Sequence, residues 1–287
     1  MTLNLGEFPF LNCVPIYYAL KRHIIKGPKL RFTIGPPSKL NQLLKEGKTD
    51  VSLISSIACL DLAENCYILP DLSISSYGAV KSVMFFSHLP YHSLDGVPIS
   101  FTSKSATSIA LLKLILKRCF DVSPIYLKGE LKNKRNMEIV GGLAIGDDAL
   151  YLRTKESYPY QLDLGQVWYE LTKLPFVFGV FAIRKEILNK SFEISKKIWQ
   201  SLLFSKNWGL NHLKKLANIC VNKLSWKSED YIDYWSHLSY DLEKMHLDSL
   251  CLFFKYLQDI SEIKTIPRLK MANLKSEHGF FEEIILC

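Results

Sequence analysis

The chain has 287 residues, 48% of them hydrophobic, so it can bury a sizeable core in one or two domains. Its seven cysteines are scattered and form no C-x-x-C pair, which argues against a zinc site or a disulfide framework and predicts free thiols in the core. A net charge of +8 permits contact with nucleic acid or an acidic membrane, but the lysines are spread along the chain, so we predict neither partner; the same charge suits an anionic small molecule.

Three further features exclude other classes of protein. The first residues lack a basic region followed by an apolar run, and no stretch approaches the roughly 18 apolar residues of a membrane span, so we expect a cytoplasmic protein. The densest basic cluster, Lys128 to Arg135, is typical of a solvated loop. His88 and His92 are four residues apart, but Pro90 breaks the helix that would align them, and we predict no metal site.

The N-terminal part alternates strands with helices, which predicts an α/β fold. We expect strands at 3–8, 30–35 and 51–54, and helices at 16–22 and 38–45, the second capped by Ser38. Asn12 lies at the first strand-to-helix junction, and Ser55 and Ser56 follow the third strand, at the edge where ligands of open α/β sheets bind. Ordinary turns explain these three polar residues equally well.

Small polar residues and Gly78 precede a further strand that ends near residue 87. Gly78 indicates a tight backbone position. Ser82, at the start of this strand, faces either a cleft or solvent, because side chains alternate along a strand.

The centre of the chain, Phe101 to Leu116, has the pattern of a strand end, a hydroxyl-rich turn and a helix. Ser105, Thr107 and Ser108 therefore lie at a helix start. Their hydroxyls can cap free backbone N–H groups, and the same N–H groups with the helix dipole can hold a carboxylate or phosphate. An ordinary N-cap is the simpler interpretation of this stretch alone.

The second half continues the alternation and then becomes helical. We expect strands at 125–127, 142–145 and 176–183, an amphipathic segment at 163–173, and helices from 185 to about 260, with 270–287 unassigned. Gly146 and Asp147 open a helical segment, where an acidic residue usually complements the helix dipole.

Six segments, taken in order, resemble the chorismate dehydratases of the futalosine route to menaquinone. The segments are Phe10 to Pro15, Asp50 to Ser56, Ser73 to Ser82, Ser105 to Ser108, Ile145 to Leu150, and Asp163 to Trp168 with Leu174 to Phe178. The resemblance runs over roughly residues 3 to 260. It implies a two-lobed fold of the type II periplasmic-binding-protein kind, with lobe I at 1–86 and 182–287 and lobe II at 87–181.

The resemblance also implies an activity and a site. Chorismate would bind between the lobes, without a cofactor or metal, and lose water to give 3-[(1-carboxyvinyl)oxy]benzoate. Asn12 and Ser82 would be catalytic, and the substrate-binding residues would be Ser55, Ser56, Ser105, Thr107, Ser108, Gly146 and Asp147. Because Asp147 is the only carboxylate among them and its position suggests a structural role, we hypothesise that the enolpyruvyl carboxylate of the substrate takes the proton itself.

Two alternatives remain. The related dihydroxynaphthoate synthases resemble the chain around Ser55-Ser56 and Thr107-Ser108, but that family has a catalytic histidine in the segment corresponding to 145–147, and this chain has none there. A non-catalytic anion-binding protein of the same fold normally needs an export signal. The chain departs from the dehydratase pattern at Phe181, where tryptophan is expected, and after about residue 265.

Overall fold

A computed structural model shows two mixed β-sheets flanked by helices. It describes residues 1–102, 105–129, 131, 139–155, 157–220, 224, 226–275, 283–285 and 287. Most of the predicted basic loop, Lys128 to Arg135, lies outside the described residues. The α/β prediction is confirmed by the alternation of strands and helices along the chain.

The first sheet has the strand order β12-β11-β4-β10-β3-β1-β2. Its strands are β1 (Thr2–Glu7), β2 (Lys29–Ile34), β3 (Val51–Ser55), β4 (Cys66–Ser76), β10 (Phe176–Arg184), β11 (Lys270–Ala272) and β12 (Glu283–Ile285). Its helices are α1 (Val14–Lys21), α2 (Pro37–Lys45), α3 (Cys59–Leu62), α7 (Lys185–Lys190), α8 (Phe192–Asn211), α9 (Leu213–Cys220), α10 (Ser228–Ser236) and α11 (Lys244–Asp259). β1 is parallel to β2 and β3, whereas β10 runs antiparallel to β3 and β4.

The second sheet has the order β7-β6-β8-β5-β9. Its strands are β5 (Val83–Ser87), β6 (Pro98–Phe101), β7 (Ile125–Lys128), β8 (Gly141–Ile145) and β9 (Tyr160–Asp163). Its helices are α4 (Ala106–Phe120), α5 (Asp147–Leu152) and α6 (Leu164–Thr172). β6 is parallel to β7 and β8, and β5 is antiparallel to β8 and β9.

The chain passes from the first sheet to the second after β4 and returns after α6. The lobe borders expected at 86/87 and 181/182 fall inside β5 and β10. Because β5 pairs only with strands of the second sheet and β10 with strands of the first, the sheet pairing favours borders in 77–82 and 173–175. These two short segments make the crossovers, and one of them carries Ser82.

Two local predictions are wrong. Ser38 does not cap α2: the helix begins at Pro37, whose fixed φ suits a first helical position, and no side chain caps it. The cysteines are not all free thiols, because Cys251 on α11 forms a disulfide with Cys287, 36 residues further on. The bond ties the chain end, whose strand β12 pairs with β11, to α11. Cys119 is a free thiol, but it is exposed rather than in the core.

Apolar side chains from both sheets form a continuous core. Trp168 and Trp235 are fully buried in it, and Phe181, at the position where tryptophan was expected, is also fully buried, with its ring centroid 5.9 Å from that of Tyr17. The smaller ring at 181 is therefore accommodated in a packed environment. Within the described part of the chain, no helix has the length and apolar character needed to cross a membrane.

Candidate active site

A cleft lies where the first crossover and the loops of both sheets meet. Its lining residues are Phe8, Phe10, Asn12, Pro37, Ser55, Ile74, Val80, Ser82, Val83, Ser105, Ser108, Ile145, Gly146, Phe178 and Gly179. None of these described lining residues carries a charged side chain, so the polar groups of the cleft are hydroxyls, one amide and backbone.

Asn12 and Ser55 supply polar groups from the first sheet. Asn12 lies in a short 3-10 helix, Leu11–Cys13, which follows β1 after residues 8–10, and its Oδ1 accepts a hydrogen bond from Cys13 Sγ at 3.3 Å. Ser55 ends β3 and is buried, and its Oγ accepts from Asn41 Nδ2 at 3.1 Å. One lone pair of each oxygen is thereby engaged, and the Asn12 amide N–H₂ and the Ser55 O–H are donors that a ligand can use.

The start of α4 brings two more hydroxyls into the cleft. Ser105 is the N-cap, and its Oγ accepts from the Ser108 backbone N–H at 3.3 Å and lies 2.9 Å from Ser108 Oγ. Both side chains are buried and line the cleft. The predicted cap is thus confirmed, and the positive end of a 15-residue helix faces the same space.

Two of the predicted binding hydroxyls have partners elsewhere. Thr107 is fully buried, and its Oγ1 accepts from the Ile57 backbone N–H at 2.9 Å, which joins α4 to the segment that follows β3. Ser56 is also fully buried and donates to the Val177 carbonyl at 2.6 Å. Neither residue lines the cleft. Their hydroxyls hold together the elements that form it.

Gly146 and Asp147 connect the end of β8 to the residues around Asn12. Gly146 has φ +58°, and a Cβ at this position would lie 2.8 Å from the ring of Phe10, so only glycine fits here without displacement. The Asp147 Oδ1 accepts from the Leu11 backbone N–H at 3.2 Å. Gly146 lines the cleft and Asp147 does not. Asp147 therefore fixes the 3-10 helix that carries Asn12.

Ser82 is held by several contacts at the first crossover. Its carbonyl accepts from the Gly146 N–H at 2.7 Å, and its Oγ accepts from Tyr234 OH at 3.0 Å. The preceding Val80 and Lys81 N–H groups donate to the Asp163 carboxylate at 3.1 and 2.7 Å, and this carboxylate also caps α6. Burial raises the pKa of Asp163, while the backbone N–H groups act in the opposite direction.

Several residues that line or support the cleft could not be recognised from the sequence. Phe8, Phe10 and Phe178 form apolar walls of the cleft, yet each resembles an ordinary core residue in its segment. Asn41 and Tyr234, which hold Ser55 and Ser82, are polar partners behind the lining. Since Tyr234 is 152 residues from Ser82 in the chain, no spacing pattern connects them.

A family model described as "Menaquinone biosynthesis" matches residues 3–259. The chain belongs to this menaquinone-biosynthesis family. Two curated relatives, both named chorismate dehydratase, are similar to it. The one from Thermus thermophilus is 31% identical, over 77% of this chain and 82% of the relative, and the one from Campylobacter jejuni is 30% identical, over 79% and 87%.

Solved structures show how this member of the menaquinone-biosynthesis family is folded. A protein of Archaeoglobus fulgidus superposes with a TM-score of 0.74 at 19% identity, over 91% of this chain and 98% of that one. The alkanesulfonate-binding protein of Xanthomonas axonopodis pv. citri, bound to MOPS, gives a TM-score of 0.65 at 13% identity, over 93% and 95%. The predicted periplasmic-binding-protein-like fold is confirmed, and at such identities the likeness concerns the fold alone.

Proposed function

We propose that the protein is a chorismate dehydratase, a hydro-lyase that converts chorismate into 3-[(1-carboxyvinyl)oxy]benzoate and water. The name of the two curated relatives supports this reading. The observation that carries it is the set of hydrogen-bond donors in the cleft: serine hydroxyls, one amide and the N-terminal end of α4 lie there together with the rings of Phe8, Phe10 and Phe178. Such donors can bind the carboxylates of a dianionic substrate without a cationic side chain.

One carboxylate of the substrate binds at the start of α4. Ser105 and Ser108 present hydroxyls there, next to the free backbone N–H groups of the first turn. A helix N-terminus stabilises an anion through these N–H groups and the helix dipole, without a cationic side chain. The second carboxylate, on the enolpyruvyl group, then lies toward Asn12 and Ser82.

Dehydration removes the ring proton at the carbon that bears the enolpyruvyl ether and expels the neighbouring hydroxyl as water. The proton is acidified through the diene that is conjugated with the ring carboxylate, and the gain of an aromatic ring drives the reaction. The lining residues Asn12, Ser55, Ser82, Ser105 and Ser108 contain no effective base near neutral pH. The enolpyruvyl carboxylate takes the proton and passes it to the departing hydroxyl, so that water leaves and the carboxylate is regenerated. Holding the substrate in one conformation supplies much of the rate.

Asn12 and Ser82 orient the two reacting parts of the substrate. The Asn12 amide N–H₂ and the Ser82 O–H are donors at two different places in the cleft lining, one after β1 and one directly before β5. Asn12 holds the enolpyruvyl carboxylate near the ring proton, and Ser82 donates to the leaving hydroxyl. Both groups act by hydrogen bonding, and the proton moves within the substrate.

The fold also supports a second candidate, a non-catalytic anion-binding protein, because structures of similar fold include an alkanesulfonate-binding protein. The related dihydroxynaphthoate synthase activity has less support, since no histidine is among the described residues that line the cleft. The two candidates differ in whether chorismate is consumed.

Incubation of the purified protein with chorismate tests the proposal. We expect chorismate to disappear with the stoichiometric formation of an aromatic product that is lighter by one water molecule, detected by chromatography with mass spectrometry. A parallel incubation without protein controls for spontaneous decay of the substrate. Chorismate that binds, but is recovered unchanged, would identify a binding protein instead.

A further inference from the structure

Tyr234 is a buried residue of α10 that reaches the cleft only through Ser82. Its side chain is 1% exposed and does not line the cleft, and its hydroxyl donates to Ser82 Oγ at 3.0 Å. The neighbouring Asp233 pairs with Lys81 at 2.5 Å, so α10 holds the crossover at two successive residues. The Tyr234 hydroxyl is thus placed directly behind a residue of the site.

The hydrogen bond from Tyr234 determines whether the Ser82 hydroxyl acts as a donor or as an acceptor toward a ligand. A serine hydroxyl has one proton to donate, and here its oxygen already accepts from the phenol. Its proton is directed to the Val80 carbonyl at 3.4 Å, a distance beyond the usual range for O–H donors. A ligand oxygen at ordinary distance can therefore take this proton at little cost.

The phenol retains its proton. Burial raises the pKa of Tyr234 far above the ordinary value, the nearby Asp147 carboxylate raises it further, and the hydrogen bond to Ser82 acts in the opposite direction. Tyr234 is consequently a donor at every pH at which the protein is assayed.

The same arrangement recurs at Asn12. The buried Cys13 thiol donates to Asn12 Oδ1 at 3.3 Å, and burial raises the pKa of this thiol well above its ordinary value. The amide oxygen is thereby engaged, and the amide N–H₂ is left for a ligand. At both Asn12 and Ser82, a buried neutral group behind the lining donates to the side-chain oxygen. The N–H₂ or O–H of the same side chain then stays available as a donor in the cleft.

We propose that Tyr234 is a positioning residue that fixes Ser82 as a hydrogen-bond donor toward the oxygen atoms of the substrate. This inference rests on the proposed dehydratase function, in which Ser82 donates to the leaving hydroxyl. Without the phenol, the Ser82 hydroxyl is free to rotate and to act as an acceptor, which does not assist the departure of a hydroxyl group.

Tyr234→Phe removes only the donor, and Tyr240→Phe is its matched control. Tyr240 is also 1% exposed, and no described group hydrogen-bonds to its hydroxyl. A neutral hydrogen bond is worth about 0.5 to 1.5 kcal/mol, so we expect kcat of Tyr234→Phe to fall roughly 2- to 13-fold while KM stays nearly constant. Tyr240→Phe should retain the wild-type kcat. Equal losses in both variants would overturn the role of Tyr234.

A double-mutant comparison separates positioning from general packing. If Tyr234 acts through Ser82, adding Tyr234→Phe to Ser82→Ala should not lower kcat further. If the kcat of the double variant were lower than that of Ser82→Ala by the factor lost in Tyr234→Phe alone, the inference would be overturned while the dehydratase function stayed intact. A wild-type protein that does not consume chorismate would contradict that function and the inference with it.

A crystal structure of the wild-type protein with the aromatic product bound provides a test that needs no variant to fold. We expect Ser82 Oγ to lie within hydrogen-bond distance of Tyr234 OH and next to the ring carbon of the product that carried the leaving hydroxyl. A Tyr234 hydroxyl that bonds to another group, or a Ser82 remote from that carbon, would overturn the inference.

Discussion

Replacing Ser82 or Asn12 by alanine is expected to lower kcat for chorismate by roughly 10- to 150-fold, because a hydrogen bond to a charged or charge-developing group contributes about 1.5 to 3 kcal/mol. Each side chain lines the cleft and presents a donor there. The losses should be partial, since neither residue moves the proton in the proposed mechanism. Steady-state turnover of folded protein, verified by circular dichroism, measures the effect.

Ser87→Ala is the matched control for Ser82→Ala. Ser87 lies on the same strand, β5, is fully buried, and donates to the Leu89 carbonyl away from the cleft. Its variant should retain the wild-type kcat even if the protein is somewhat less stable. Unchanged turnover in both Ser82→Ala and Asn12→Ala would show that these two residues are not the groups that orient the substrate.

Loss of both hydroxyls at the start of α4 is expected to weaken binding of the dianionic product by at least tenfold. In Ser105→Ala with Ser108→Ala the N-cap and the second hydroxyl disappear together, so the anion loses at least one charge-assisted hydrogen bond of about 1.5 to 3 kcal/mol. Titration calorimetry with 3-[(1-carboxyvinyl)oxy]benzoate, which retains both carboxylates, measures the dissociation constant.

Removal of a cap also destabilises the helix, by about 1 kcal/mol, so thermal unfolding is followed in the same protein. Ser100→Ala is the control, because Ser100 is fully buried in β6 of the same sheet and lies outside the cleft. It should bind the product as the wild type does. Equal affinity in the Ser105/Ser108 variant and the wild type would show that the anion does not bind at the start of α4.

The residues that could be predicted from the sequence lie at strand-to-helix junctions. Asn12, Ser55, Ser105 and Gly146 each come directly after or near the end of a strand, and such ends meet at one edge of each sheet. The α/β alternation around them was visible for the same reason. Position in the chain was enough to bring these residues to one cleft.

The direction in which each side chain points could not be predicted in the same way. Thr107 follows the cap by two residues and turns toward Ile57, and Ser56 turns toward Val177, because a step of one or two residues changes the face on which a side chain lies. Which face is buried depends on the packing of distant elements. The sequence therefore located the hydroxyl clusters without separating the lining residues from the structural ones.

Contacts between residues that are far apart in the chain could not be predicted from the sequence either. The sequence does not predict β4 as one long strand, because Pro70 and Asp71 interrupt its apolar pattern. In the structure, Asp71 lies within the strand with φ +63°. The Cys251–Cys287 disulfide joins residues with no spacing motif. These features depend on contacts formed only in the folded chain.

The turnover of Asp147→Asn tests most directly whether the cleft works without a base from the protein. Asparagine retains an oxygen that can accept the Leu11 N–H, while it removes the charge and replaces the second carboxylate oxygen by an N–H₂ group, so the 3-10 helix with Asn12 should stay in place. The account predicts a kcat close to that of the wild type, measured with chorismate and compared with the partial loss in Ser82→Ala. Complete loss of turnover in folded Asp147→Asn protein would contradict the account and assign the proton to Asp147.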